Sequence, residues 1–108
     1  MLDVEAEAKE ILDAARTARV GHAAKTLVKQ GPLRIVVMGM KQGSAVREHK
    51  TEGPASIHVL TGHVSISGGN TSTDLRAGQA MVFDANVVHS LEARADSSLL
   101  LTVGWPGA

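Results

Sequence analysis

Residues 43–62, GSAVREHKTEGPASIHVLTG, decide the fold. Two short runs of strand character, 45–49 and 56–60, lie on either side of a Gly53-Pro54 turn. Beyond them Thr61-Gly62 leads into a third run, 64–67. Read as a two-residue hairpin turn, Thr61-Gly62 pairs Leu60 with His63 and sorts the side chains onto two faces. Ser56, His58, Leu60, His63, Ser65 and Ser67 fall on one face. Ala55, Ile57, Val59, Val64 and Ile66 fall on the other. A wholly apolar face opposite a mostly polar one assigns the inside of the sheet.

The same punctuation continues on both sides. Runs 25–29, 34–40, 73–75, 81–84, 90–93 and 99–103 are separated by turn residues such as Gly31-Pro32, Gln42-Gly43, Gly68-Gly69-Asn70, Ala77-Gly78, Asp84-Ala85-Asn86 and Asp96-Ser97-Ser98. Nine strands with no helix between them predict an all-β, jelly-roll-like double sheet. Ahead of them, Val4, Ala8, Ile11, Leu12 and Ala15 recur at helical spacing and predict an α-helix from residue 3 to about 20. Asp3 suits its N-cap, Glu5 and Glu7 its first turns, and Arg16 and Arg19 its end, an order that complements the helix dipole. The helix is expected to pack across the barrel or at a dimer contact. One domain results, with a helix and arm over 1–24 and a barrel over 25–108.

A chain of 108 residues is long enough to bury roughly two-thirds of its unfolded surface and hold a core unaided. Eleven basic and eleven acidic residues cancel, so no global field draws the protein to nucleic acid or lipid. The absence of cysteine excludes disulfides, thiolate metal sites and a cysteine nucleophile. One phenylalanine, one tryptophan and no tyrosine leave little for stacking on bases or sugars. No apolar stretch approaches the ~20 residues of a membrane span, and the acidic N-terminus lacks the basic start and apolar run of a signal peptide. A cytoplasmic protein that binds neither nucleic acid nor membrane is the expectation.

A second stretch, residues 78–89 (GQAMVFDANVVH), joins another glycine-led strand to another histidine. Together the two stretches resemble the paired motifs of the cupin family of small β-barrels, G-x5-H-x-H-x3,4-E-x6-G and G-x5-P-x-G-x2-H-x3-N. The resemblance spans about residues 34–103 and implies a double-stranded β-helix, the cupin barrel. It also implies a metal site inside the barrel, with three ligands from the first motif and one from the second. Here His49 and His89 stand at ligand positions, Thr51 stands where a second histidine belongs and Ala55 where the glutamate belongs. Asp84, Asn86 and Ala93 replace the proline, glycine and asparagine of the second motif. His49 and His89 are thus the candidate metal ligands, but two neutral imidazoles hold a divalent transition metal weakly unless another group completes the shell. No cofactor is expected to be firmly held. Strand parity turns Glu48 and Glu92 outward, Glu52 sits in a turn near the mouth, His58 and His63 lie on the outer face, and His22 precedes the barrel.

The expected function is small-molecule binding, with a partly hydrophobic ligand bearing an anionic or carbonyl group held near His49, Thr51 and His89. The alternative is a metal-dependent enzyme, a dioxygenase or isomerase acting on a small organic acid. A metal-free epimerase of this fold uses a histidine and a tyrosine, and the chain has no tyrosine. A homodimer is expected, its partner covering Leu60 on the outer face and Trp105 near the terminus.

Overall fold

The computed structural model describes residues 1–68 and 70–105, and Glu48 by its backbone alone. One helix, α1 (Val4–Thr17), precedes nine strands: β1 (His22–Gln30), β2 (Leu33–Met40), β3 (Ala45–His49), β4 (Ala55–Thr61), β5 (His63–Gly68), β6 (Thr71–Arg76), β7 (Ala80–Phe83), β8 (His89–Ala93) and β9 (Ser97–Gly104). All pairings are antiparallel. A five-stranded sheet runs β1-β2-β9-β4-β7 and a four-stranded sheet runs β3-β8-β5-β6. This is the double-stranded β-helix with an N-terminal helix that the sequence predicts, and β1 begins at His22, inside the segment assigned to the arm.

The expected Thr61-Gly62 hairpin does not form. β4 pairs with β7 and β9, whereas β5 pairs with β6 and β8, so the chain leaves one sheet and enters the other at Gly62. The inward face is nevertheless the one expected: Ala55, Ile57, Val59, Val64 and Ile66 are all buried. Ser65, assigned to the polar outer face, is buried as well, beside Ser72.

Two apolar layers hold the molecule. The larger lies between the sheets, where Met40, Ile57, Val59, Val64, Ile66 and Leu99 are almost wholly buried. Burial of each such aliphatic side chain contributes about 1.5–3 kcal/mol. The smaller lies on the outside of the five-stranded sheet, where Ala8 and Ile11 of α1 pack on Val37 with Leu27, Leu60 and Leu100 at the margin. Leu60 is therefore covered in part by the protein's own helix. Asp3 caps α1 by accepting a hydrogen bond from the Ala6 N–H at 3.1 Å. The helix stops at Thr17 rather than near residue 20, because Ala18 turns to an extended backbone. Arg16 fixes its end, donating from Nε to Asp96 at 3.0 Å, while the other oxygen of Asp96 accepts from the Gln42 N–H at 2.8 Å. These two donors, the Gln42 amide foremost, hold the Asp96 carboxyl below the ordinary carboxylate range.

Candidate functional site at one end of the barrel

The site begins with an irregularity in β3. Val46 lies opposite Leu91 of β8, and His49 lies opposite His89, so three steps on β3 match two on β8. That bulge breaks the strand's alternation and lets both Val46, which packs on the core, and His49 face inward. β8 is regular: His89, Leu91 and Ala93 are buried while Glu92 is exposed. The two candidate histidines are thus brought side by side although 40 positions separate them in sequence.

Their rings meet edge to face, with centroids 5.7 Å apart at 90°. His89 is only 3% exposed, and its other side stacks on Phe83 at 4.3 Å, the planes 12° apart. Phe83, at the end of β7, is the residue that sequence reasoning missed. Its signal was its place as the only phenylalanine, directly before the second-motif turn. His49, by contrast, is exposed at the rim.

The tautomer of His89 follows from one contact. Its Nδ1 lies 3.1 Å from the Val87 carbonyl oxygen, which can only accept, so Nδ1 carries the hydrogen and Nε2 keeps a lone pair. Burial lowers the pKa of His89 below the ordinary histidine value, the nearby His49 adds to the lowering, and the Val87 hydrogen bond opposes it. The linkage has a definite sign. As pH falls below about 6.5, an unfolded chain protonates this residue before the folded one does, so acid favours unfolding. The thermal midpoint is expected to be level above that pH and to decline below it until the lower folded value is passed. A His89→Gln variant should decline less, and equal slopes in calorimetry across pH would exclude His89 as the source.

Thr51 and Ala55 stand close by in a different capacity. The Thr51 hydroxyl donates to the Gly53 carbonyl at 2.7 Å, and the Thr51 carbonyl accepts from the Asn86 N–H at 2.8 Å, tying the two end loops together. Asn86 has φ 63°, the left-handed region that asparagine tolerates better than most side chains, so it keeps the backbone of the motif glycine it replaces. Ala55 is buried at the start of β4 opposite Phe83 and offers no donor atom. Glu52 is exposed, and Glu92 pairs with Arg94 at 2.7 Å on the outer face. The orientation expected for Glu48 lies outside the described residues. Among the described residues no three His, Asp or Glu side chains gather. The donors that the described residues bring together here, two imidazoles and a threonine hydroxyl already bonded to Gly53, are fewer than a transition-metal shell takes.

The other histidines are elsewhere. His58 lies on the outer side of β4 and His63 sits 3.7 Å from Asp74 on the four-stranded sheet. Two concavities also lie away from the imidazole pair. An apolar groove of about 500 Å³ runs between α1 and β4, lined by Val4, Ala8, Leu12 and Leu60. A polar depression of about 140 Å³ on the four-stranded sheet is lined by Arg47, Ser65, Ser67, Ser72, Ser90 and Arg94.

A sequence model of the cupin domain matches residues 26–104, which holds nearly all of the two sheets. The chain belongs to the cupin family. No curated protein matches this cupin. Among solved structures, a conserved protein of unknown function from Streptococcus pyogenes is 27% identical, with 84% of this chain and 80% of that one covered and a TM-score of 0.76. A cupin superfamily protein from Desulfitobacterium hafniense is 17% identical over 78% and 77% of the two chains, with a TM-score of 0.75. Salicylate 1,2-dioxygenase from Pseudaminobacter salicylatoxidans is 18% identical, with 92% of this cupin and 33% of that chain covered and a TM-score of 0.80. The last two similarities are of fold alone. No helix of this cupin, among the described residues, is long and apolar enough to cross a membrane.

Proposed function

We propose that this cupin binds a small organic acid at the end of its barrel, between the loops that carry Thr51 and Asn86. The observation behind this reading is the edge-to-face pair of His49 and His89, one ring buried and the other open to solvent. The lone pair on His89 Nε2 accepts a hydrogen bond from a ligand hydroxyl. His49, at the rim, donates an N–H to a carboxylate. A ligand with a hydroxyl beside a carboxylate matches both. The Phe83 ring behind His89 supplies an apolar wall, and the Ile57, Ile66 and Leu99 side chains fill the centre of the barrel, which keeps such a ligand at the mouth.

Salicylate and lactate are suitable probes, one aromatic and one aliphatic. A ligand that binds only the folded state raises its stability by about 2.7 kcal/mol at a hundredfold excess over Kd. Thermal unfolding with increasing probe is therefore expected to shift upward for the native chain and to stay put for a His49→Ala/His89→Ala variant. An equal shift in both proteins would rule out the histidine pair, and no shift with either probe would rule out hydroxy acids of this size.

A further inference from the structure

The depression of about 140 Å³ on the outer face of the four-stranded sheet belongs to neither the histidine pair nor the core. Its floor is made of small side chains that the register sets side by side. Ser67 of β5 lies opposite Ser90 of β8 on one side and Ser72 of β6 on the other. Ser65, two residues earlier on β5, shares their face. Longer side chains stand around this floor: Arg47 of β3, Glu92 of β8 and Arg94 just beyond it.

The lining is built mainly of hydrogen-bond donors. Ser65 is only 5% exposed, and its hydroxyl meets that of Ser72 at 3.3 Å. That contact uses one hydroxyl hydrogen and leaves the other free to donate. Arg94 gives one N–H to Glu92 at 2.7 Å and keeps the rest of its guanidinium fork. Two guanidinium groups against one carboxylate leave the lining with a net positive charge. The neighbouring Asp74, opposite Ser65 on β6, lies 3.7 Å from His63 Nε2 and outside the lining.

We propose that this depression binds a tetrahedral oxyanion, either free phosphate or the phosphate group of a small monoester. Side chains opposite each other on neighbouring strands stand about 5 Å apart, and one anion oxygen set ~2.7 Å from each hydroxyl bridges that gap. Hydroxyls rise from β8, β5 and β6 below, and guanidinium N–H groups approach from the side. Donors so placed surround a ligand in three dimensions. A tetrahedral oxyanion turns an oxygen toward each of them, whereas a planar carboxylate leaves part of the set unpaired. The volume is several times the ~30 Å³ share of one water, enough for a phosphorus with its oxygens. Glu92 acts in two opposed ways, holding the Arg94 guanidinium in place and repelling an incoming anion.

Titration of isotope-labelled protein with inorganic phosphate and with glycerol phosphate, followed by amide NMR at fixed ionic strength, tests the site. The expected result is a saturable shift of the Ser65, Ser67, Ser72 and Ser90 signals, with those of Thr51 and Asn86 at the barrel mouth unmoved. Saturation by both probes assigns the site to a phosphate monoester, and saturation by inorganic phosphate alone to the free ion. Arg94→Gln should weaken binding at least about tenfold, the loss of a charge-assisted contact. Glu92→Gln keeps an acceptor for Arg94 and removes the negative charge, so it should tighten binding several-fold. Both side chains are half exposed, and neither change disturbs the core. The absence of a saturable shift overturns the proposal, as does equal affinity in the native chain and Arg94→Gln. Weaker binding by Glu92→Gln also overturns it, because the carboxylate would then be a contact for a ligand that is not an anion.

Discussion

Gly62→Ala is expected to destabilise the protein by about 2–6 kcal/mol, a large share of the 5–15 kcal/mol typical of a domain. Two effects combine. Gly62 has φ 91°, where a non-glycine residue costs about 1–3 kcal/mol. A methyl group there would also overlap the Ser97 Oγ and the Asp96 carbonyl oxygen. Ser97 has no room to yield. It is fully buried, accepts from the His63 N–H at 3.0 Å and donates to the Ala95 carbonyl at 2.7 Å. Overpacking of a rigid site adds about 1–3 kcal/mol. Gly78→Ala separates the two effects, because Gly78 has φ 88° but open space around it. Urea midpoints should rank the native chain above Gly78→Ala and that variant above Gly62→Ala. Equal midpoints for the two variants would show that the corner between the sheets relaxes around the methyl.

Gly39→Ala should act by sterics alone and fall on a different part of the molecule. A Cβ at Gly39 would lie 2.5 Å from the Ile11 carbonyl oxygen and 2.8 Å from the Leu12 Cα. These are backbone atoms of α1, so no rotamer change relieves the clash and the whole helix must lift. The direct cost is about 1–3 kcal/mol. Lifting the helix also opens the packing of Ala8 and Ile11 on Val37. A 14-residue helix detached from its sheet is marginal in water, so the variant should lose helical circular dichroism before its strands lose amide protection. Simultaneous loss of both would mean that helix and barrel fold as one unit. An unchanged helical signal would mean that α1 tolerates a wider seat.

Much of the fold was legible in residues because alternation and turn chemistry act locally. The apolar set Ala55, Ile57, Val59, Val64 and Ile66 is buried as read, and Asp3 caps the helix that the Val4, Ala8, Ile11 pattern announces. Partnership between strands was not legible. A hairpin and a corner that crosses between sheets both reverse the chain at a glycine, and both keep the same side chains inside. Thr61-Gly62 looks like the first and is the second. The imidazole pair was legible only through motif spacing. Strict alternation from the inward Val46 would have sent His49 outside, and nothing in the composition of β3 announces the bulge that corrects it. Phe83 went unremarked because stacking is a relation between elements, and neither β7 nor β8 encodes it alone.

The bulge in β3 also ties chemistry to chain length. With three steps against two between Val46 and His49, the histidine's compartment is set by a count of residues and not by its own identity. Flattening the bulge with every residue kept would swing the imidazole to the far side of the wall and leave His89 without its companion, whereas removing a single codon between those positions would leave two steps against two and keep the imidazole inside. Among homologues, a one-residue gap at that place would therefore spare the pair, because the shorter strand reaches His89 by plain alternation.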